Sequence, residues 1–186
     1  MNEIEEKAKL KDAKHGKGII KKLKKAGWNF GAVLKQKDTI YCDKETLKRF
    51  DQFTPVPFSR IRIQGKQAWF TLKKSEINEL EGIECETEIT DPKAMHEALL
   101  QLGQFPGTVV EKKRIKAKKG KMEVCIDEVK GLGWFIEVEK LTNEKDSEKV
   151  QSELFDFLKT FGIGVEDRVT NGYDTLVYRK FGPMKA

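Results

Sequence analysis

The first ten residues, MNEIEEKAKL (residues 1–10), decide the fold because they can form either a helix or a strand. On a helix, Glu3 and Lys7 would stand at positions i and i+4 and form an ordinary surface ion pair. On a strand, Glu3, Glu5 and Lys7 would all project from one face, because successive side chains alternate. Segments rich in Glu, Lys and Ala are usually solvated helices, so the local composition favours the helix. The choice therefore depends on patterns in the rest of the chain.

Length and composition limit the class of protein. The chain of 186 residues is long enough for a single domain over residues 1–186 with its own core, and 35% of its residues are charged. Its apolar runs are only a few residues long, so we expect no membrane span, and the amino terminus lacks the apolar segment of a secretory signal. Three widely spaced cysteines without a CxxC pair favour reduced thiols. We therefore expect a soluble, cytoplasmic protein.

The formal net charge of +6 indicates an anionic partner. Nucleic acid is the default candidate, and the basic runs KKLKK (residues 21–25) and EKKRIKAKKGK (residues 111–121) support it. However, the chain also carries 30 acidic residues, many of them in regular patterns inside strand-like segments. A simple nucleic-acid binder has no use for such a pattern. Nucleic acid is therefore disfavoured as the partner.

Three segments carry apolar residues at helical spacing, and six others alternate with period two. The helical segments are residues 16–28, 91–103 and 146–162, and a short fourth helix is predicted over residues 173–177. The alternating segments are residues 59–63, 68–74, 83–89, 109–118, 121–129 and 134–141. Nearly all of these predicted strands have charged residues on one face and apolar residues on the other.

The charged strand faces have two interpretations. A half-buried sheet usually exposes its charged face to water, and for any single strand this is the simpler interpretation. Here, however, three amphipathic helices need apolar surface to cover, and the apolar strand faces can supply it. If the sheet closed with its helices outside, the charged face would line the interior and no strand edge would be exposed. Charges of both signs on neighbouring strands could then pair, hydrate or hold ions.

The type of charge divides the strands into two groups. Carboxylates suit hard divalent cations, whose ligands are oxygens, and occur at Glu3, Glu5, Glu84, Glu86, Glu88, Glu137 and Glu139. Basic side chains suit phosphate oxygens and occur at Arg60, Arg62, Lys73, Lys112 and Arg114. Both groups in one cavity would describe a metal-chelated polyphosphate site better than a nucleic-acid groove.

Seven short segments follow one another in a characteristic order. They are EIEEK (3–7), QKDTIYCD (36–43), RIRI (60–63), FTLKK (70–74), VVEKKR (109–114), IDEVKGLGWFIEVE (126–139) and GIGVEDRVTNGYDTL (162–176). The first fits ExExK, the second resembles QxDTYFD, the next three resemble RIR, TLK and VxKxR, and the sixth resembles DxVxGLGxFxExE. In this order, over essentially the whole chain, they resemble the CYTH proteins, also called triphosphate tunnel metalloenzymes. That family includes CyaB-type class IV adenylyl cyclases, thiamine triphosphatases and inorganic triphosphatases.

The resemblance implies an α+β fold with a closed eight-stranded antiparallel β-barrel, whose interior is charged and whose helices pack outside. EIEEK would then be the first barrel strand. The family's acidic residues hold Mg2+ or Mn2+, and the implied metal ligands are Glu3, Glu5, Glu86, Glu137 and Glu139. The implied triphosphate ligands are Lys7, Arg60, Arg62, Lys73, Lys112, Arg114 and Arg168. Glu137 and Lys7 are also the candidate catalytic residues, since Glu137 could activate a nucleophile and Lys7 could tune a neighbouring group.

The resemblance leaves the reaction open. The first expectation is a class IV adenylyl cyclase-like enzyme that converts ATP to cyclic AMP and pyrophosphate. The alternative is a hydrolase of thiamine triphosphate, inorganic tripolyphosphate or nucleoside triphosphates, and a third is a non-catalytic binder of anions or RNA. The chain departs from family cyclases at Gly82 and Gly172, where Arg and Ser are common, which puts the substrate in doubt. The resemblance also allows a homodimer.

Overall fold

The computed structural model describes residues 2–50, 52, 56–74, 79–144 and 146–184. Within these residues the strands are β1 (Asn2–Lys9), β2 (Asn29–Cys42), β3 (Phe58–Gln64), β4 (Gln67–Lys74), β5 (Glu81–Ile89), β6 (Phe105–Lys119), β7 (Met122–Val129), β8 (Gly133–Thr142) and β9 (Arg168–Val169). The α-helices are α1 (Ala13–Lys25), α2 (Lys44–Lys48), α3 (Pro92–Gln101), α4 (Ser147–Lys159) and α5 (Tyr173–Phe181). A single 3-10 turn, Val165–Asp167, precedes β9.

The strands form an antiparallel sheet in the order β5-β4-β3-β2-β6-β7-β8-β1-β9. The predicted α+β class with an antiparallel sheet is therefore confirmed. The described residues form nine strands rather than the predicted eight, because the two-residue strand β9 pairs with β1. The first ten residues contain a strand, against their local composition, since β1 pairs with β8 along its whole length from Asn2↔Thr142 to Lys9↔Phe135.

The predicted helices form with small shifts at their ends. α1 begins at Ala13, before the predicted start, because the Asp12 side chain accepts a hydrogen bond from the His15 N–H at 2.8 Å. α4 has Asp146 as its N-cap, and the Asp146 carboxylate accepts a hydrogen bond from the Lys149 N–H at 2.9 Å. Within the described part of the chain, every helix is too short or too polar to cross a membrane.

The chain divides into two compact units. Unit 1 comprises Met1–Leu34 and Lys112–Thr170, and unit 2 comprises Lys35–Glu111 and Asn171–Ala186. The long strands β2 and β6 contribute residues to both units. Each unit has a hydrophobic cluster of its own.

The core of unit 1 lies between α1, α4 and one face of the strands. The helices contribute Ile19, Leu23, Val150, Leu154 and Leu158. The strands contribute Ile4, Ala8, Val124, Ile126, Ile136 and Val138. These strand residues are the apolar half of the predicted alternation, so the charged half of the same strands projects from the opposite face.

The core of unit 2 is smaller and is built around α3. Leu99 packs against Tyr41 and Ile61, with Ile63, Phe70, Ile89 and Met95 around them. The Tyr41 hydroxyl lies 2.8 Å from His96 Nδ1, which ties the helix to β2. The face of β3 and β4 that carries Ile61 and Phe70 therefore packs with α3, and the opposite face carries the charges.

The amino terminus of α5 is capped by a residue from outside the helix. Gly172 stands at the N-cap, where it has no side chain to accept a hydrogen bond. The Glu79 carboxylate accepts hydrogen bonds from the Gly172 N–H at 2.6 Å and from Asn171 Nδ2 at 3.0 Å. Glu79 therefore satisfies the N–H of the N-cap residue and places a negative charge at the amino terminus of α5.

One charged pair lies on the apolar side of β1. Glu6 is fully buried beside Ile4 and Ala8, and its carboxylate accepts two hydrogen bonds from the Arg168 guanidinium of β9. Burial raises the pKa of Glu6 despite these hydrogen bonds. The Arg168 guanidinium also lies 5.2 Å from the centre of the Phe155 ring of α4. The pair therefore fixes β1 against β9 and α4.

We predict that Arg168→Ala lowers the free energy of unfolding by about 2–3 kcal/mol, because it leaves the Glu6 carboxylate buried without its partner. This loss of unfolding free energy is at the lower end of the range for a buried ion pair, because the Arg168 side chain is 36% exposed and water can approach it. Urea unfolding measures the difference. Lys113→Ala is the matched control, since the exposed Lys113–Glu128 pair contributes less than about 1 kcal/mol. Equal losses in the two variants would contradict the role given to Arg168.

Candidate active site

The charged face of unit 1 carries an acidic cluster. The strand register places Glu5 directly opposite Glu139, with Glu3 two residues further along β1 on the same face. One carboxylate oxygen from each of Glu3, Glu5 and Glu139 lies within 4.8 Å of the other two. Three convergent oxygens at this separation form a ligand set suited to a hard divalent cation.

The acidic cluster brings its carboxyl groups close together, and one of them, Glu139, resists ionisation. Burial raises the pKa of Glu139 to about 9, and the nearby carboxylates of Glu3 and Glu123 contribute to the rise, while Arg114 and Lys116 oppose it. A carboxyl group that resists ionisation in this way would be stabilised by a bound cation. The donor set and its charge therefore fit Mg2+ or Mn2+.

Lys7 lies beside the cluster and is fully buried. Its Nζ lies 3.2 Å from Glu5 Oε1 and 3.3 Å from Glu137 Oε1. Burial, the largest single effect, would lower the pKa of Lys7, but Glu5 and Glu137 together raise it well above its usual value. Lys7 is therefore a permanent positive charge between two carboxylates.

Arg114 continues this arrangement on the other side of Glu137. Its guanidinium donates two hydrogen bonds to Asp127, at 2.8 Å and 2.6 Å, and one to Glu137. Arg114, Lys7 and the buried Lys112 lower the pKa of Glu137 well below its usual range, although burial alone would raise it. The bidentate contact with Asp127 fixes the plane of the guanidinium.

A further basic edge lies at the end of this face. The Glu123 carboxylate contacts Lys116 Nζ at 2.5 Å and Lys118 Nζ at 2.6 Å. Burial would raise the pKa of Glu123, but these two lysines lower it to about 2. The strand register places the buried Cys125 between Lys116 and Glu137, and burial raises the pKa of its thiol well above the usual value. The thiol is therefore protonated at neutral pH.

The charged face of unit 2 holds a second set of ion pairs. Arg62 donates two hydrogen bonds to Asp38, at 2.7 Å and 2.8 Å. The Arg60 guanidinium lies 3.4 Å from Glu84 and 3.3 Å from Glu86. The Lys73 ammonium lies 3.3 Å from Glu84, and Glu86 also accepts a hydrogen bond from Thr71 at 2.8 Å. Burial would raise the pKa of Glu84, but Arg60 and Lys73 lower it overall.

The structure distributes the predicted site residues over three places. The charged face of unit 1 carries Glu3, Glu5, Lys7, Lys112, Arg114, Glu137 and Glu139. The charged face of unit 2 carries Arg60, Arg62, Lys73 and Glu86. Arg168 stands apart on the opposite side of β1, where it pairs with Glu6. That position suits a structural contact better than a phosphate contact.

Sequence reasoning did not assign four charged residues of these two faces to the candidate site. Asp127 and Asp38 orient Arg114 and Arg62, while Lys116 and Glu123 pair with each other. Asp127 and Asp38 occupy motif positions, in IDEVKGLGWFIEVE and QKDTIYCD, so the motifs contained the signal. Lys116 and Glu123 are in the alternating charge pattern of β6 and β7, but nothing in that pattern distinguishes them from surface charges.

Comparison with known proteins shows what this chain is similar to. A model of the CYTH domain matches residues 1–173. A protein named "Putative adenylate cyclase MJ0240", from Methanocaldococcus jannaschii, is 30% identical over 180 residues, which cover 93% of this chain and 97% of that protein.

Several solved structures share the fold. The PH1012 protein of Pyrococcus horikoshii OT3 superposes with a TM-score of 0.77 and 22% identity, over 94% of this chain and 98% of that chain. The Hippeastrum protein HpAC1, described with the words "reveals a dominant triphophatase activity", has a TM-score of 0.64 and 17% identity, over 100% of this chain and 98% of that chain. At such identities these structures inform on the fold alone. Because the family model covers most of the chain, this protein belongs to the CYTH family.

Proposed function

We propose that this protein is a divalent-metal-dependent enzyme that acts on a triphosphate, with the reaction of a class IV adenylyl cyclase. The observation that carries the proposal is the convergence of Glu3, Glu5 and Glu139 within 4.8 Å on a face that also holds buried cations. A surface ion-pair network has no need to bring together three carboxylates of which one is buried and two are partly buried. The similarity to a protein named as an adenylate cyclase supports the choice of reaction.

The acidic cluster would hold the metal ion. Glu3, Glu5 and Glu139 provide the oxygens, and Glu137 is a further candidate ligand because the strand register places it beside Glu139 on the same face. The predicted ligand Glu86 contacts Arg60 and Thr71 in unit 2, and its metal role stays a prediction. A bound Mg2+ or Mn2+ would neutralise phosphate charge and make an attacking hydroxyl or water easier to ionise.

The buried cations would contact the phosphates. Lys7, Lys112 and Arg114 already lie at fixed positions, so they would not reorganise when charge develops during bond breaking. In unit 2, Arg60, Arg62 and Lys73 are the predicted phosphate ligands. The Arg60 Nε atom is buried and has no hydrogen-bond acceptor among the described residues, so it is available to a phosphate oxygen.

The charge states of Glu137 and Lys7 refine their predicted catalytic roles. Since its cationic neighbours hold the pKa of Glu137 far below neutrality, this carboxylate is a weak proton acceptor. Lys7 stays protonated because Glu5 and Glu137 raise its pKa, and it therefore cannot act as a base. Both residues therefore act through fixed charge: Glu137 as an anion that orients the cations or a metal, and Lys7 as a cation beside the triphosphate.

The same site could run either of two reactions. If the 3′-hydroxyl of ATP is aligned with the α-phosphorus, cyclic AMP and pyrophosphate form. If water is aligned with the terminal phosphorus, orthophosphate is released. Hydrolysis of a nucleoside triphosphate, thiamine triphosphate or tripolyphosphate is therefore the second candidate. The closed tunnel, the single domain over residues 1–186 and the cytoplasmic location stay predictions of the resemblance.

Product analysis tests the proposed reaction. We expect ATP with Mg2+ or Mn2+ to yield cyclic AMP and pyrophosphate, separated by ion-exchange chromatography. Orthophosphate from ATP, tripolyphosphate or thiamine triphosphate would instead identify the hydrolase. No product from any of the three, together with salt-sensitive RNA binding, would replace the enzyme by a binding protein.

We predict that Glu5→Ala and Glu139→Ala each lower metal-dependent turnover by at least about 100-fold while the fold persists, because each removes one oxygen ligand. Steady-state rates and circular dichroism measure the two effects. Glu128→Gln serves as the control, because Glu128 lies on β7 and pairs with the exposed Lys113. Wild-type turnover in both alanine variants would remove these residues from the site.

The raised pKa of Glu139 predicts a pH-dependent affinity for the cation. Because the pKa is about 9 in the cation-free protein, Glu139 carries a proton near neutral pH and must release it when the cation binds. The affinity for Mn2+ should therefore rise from pH 6 to pH 9, by up to roughly tenfold per pH unit. Titration calorimetry in buffers of different ionisation enthalpy would detect the released proton. The Glu139→Gln variant should show neither effect, and an unchanged proton release in it would refute the assignment.

A further inference from the structure

An unpaired polar atom lies on the charged face of unit 2. Gln36 of β2 is only 5% exposed, and its Nε2 donates a hydrogen bond to Gln64 Oε1 at 2.9 Å. Its other amide atom, Oε1, is buried and has no hydrogen-bond donor among the described residues. A buried acceptor without a donor is costly, so this atom is a place where a ligand donor would be favourable.

The strand register shows what surrounds this atom. Gln36 pairs with Gln64 across β2 and β3, and the next pair on the same face is Asp38 with Arg62. Arg62 in turn stands opposite Trp69 of β4, whose side chain is partly buried. At the end of this face near the β3–β4 turn, the amides of Gln36 and Gln64 therefore lie next to the ion pair and the indole.

Two of the predicted phosphate ligands, Arg60 and Lys73, lie further along the same strands than Arg62. Arg60 precedes Gln64 by four residues on β3, which corresponds to about 13 Å in a strand. Lys73 lies opposite Phe58, beyond Arg60 in the same direction. One end of the face thus carries the amide of Gln36, whose Oε1 lacks a hydrogen-bond donor among the described residues, and the other end carries the cations.

We propose that Gln36 is a specificity-determining residue, whose Oε1 accepts a hydrogen bond from the exocyclic amino group of the substrate's nucleobase. This inference rests on the proposed function and adds the residue that would recognise the base. Ionised tripolyphosphate has no hydrogen-bond donor to offer Gln36, whereas adenine offers an amino group and a flat ring for the apolar surface of Trp69. The 13 Å spacing estimated from strand geometry leaves room for a sugar between the base and the cations.

Two nucleotides that differ by one amino group test the proposal. ATP should be used with a kcat/KM about tenfold or more above that of purine riboside triphosphate, which lacks the 6-amino group, because the analogue leaves Gln36 Oε1 unpaired. The Gln36→Leu variant should lose this preference. Gln36→Met has nearly the same size as the native residue and replaces Leu if that variant unfolds. Lys37→Gln, the exposed neighbour whose side chain projects from the other face, should keep the wild-type ratio.

The outcomes separate this inference from the proposed function. Equal use of the two nucleotides by the wild type, or an unchanged preference in Gln36→Leu, overturns the role of Gln36. Turnover of tripolyphosphate without nucleotide turnover also overturns it, while the metal-dependent enzyme stands. If no triphosphate is turned over, the proposed function fails, and titration calorimetry still compares the dissociation constants of the two nucleotides. A ratio below about twofold in that experiment rejects the proposal, and a ratio of about tenfold supports it.

Discussion

The chain of alternating charges Asp127–Arg114–Glu137–Lys7–Glu5 is the feature on which the site of unit 1 depends. These side chains come from four strands, and each is buried next to a partner of opposite sign. Burying any of them alone would be prohibitive, so the network is stable only when all members are in register. The same requirement fixes the cations that a triphosphate would meet under the proposed function, and it places the acidic cluster, in which Glu139 resists ionisation, at one end of the network.

A second buried pair, Glu6–Arg168, shows that β1 carries a structural ion pair on one face and candidate site residues on the other. Glu5 and Lys7 project from the charged face of β1, whereas Glu6 projects into the helix side and pairs with Arg168. Arg168 therefore stabilises the strand that carries the acidic cluster and contributes no contact to the cluster itself. Two carboxylates that are adjacent in sequence differ in role because the strand alternation assigns them to opposite faces.

A site of this kind would act mainly through charged side chains that are held at fixed positions. Glu137 and Lys7 are held in single ionisation states by their neighbours, and Arg114 is oriented by Asp127. Such groups stabilise developing charge without proton transfer, which is why one arrangement is compatible with cyclisation and with hydrolysis. The choice between the reactions depends on which oxygen is aligned with which phosphorus, and Gln36 bears on that choice because it would orient the base.

Much of this protein was predictable from the alternation of charged and apolar residues. The periods of two and 3.6 predicted most of the strands and the main helices. The motif order predicted many of the acids and bases on the charged strand faces, but it also grouped Arg168 with them, and Arg168 lies on the opposite side of β1. The resemblance predicted that EIEEK is a strand although its local composition favours a helix, and the tertiary structure supplies the physical reason, since pairing with β8 along the whole of β1 overrides that preference. The partner of Glu6 lies 162 residues away, and the unpaired oxygen of Gln36 depends on which groups surround it. Sequence patterns determine the face of a strand from which a side chain projects. The contacts that the side chain makes or lacks depend on packing between segments that are distant in the chain, and local periodicity does not encode that packing.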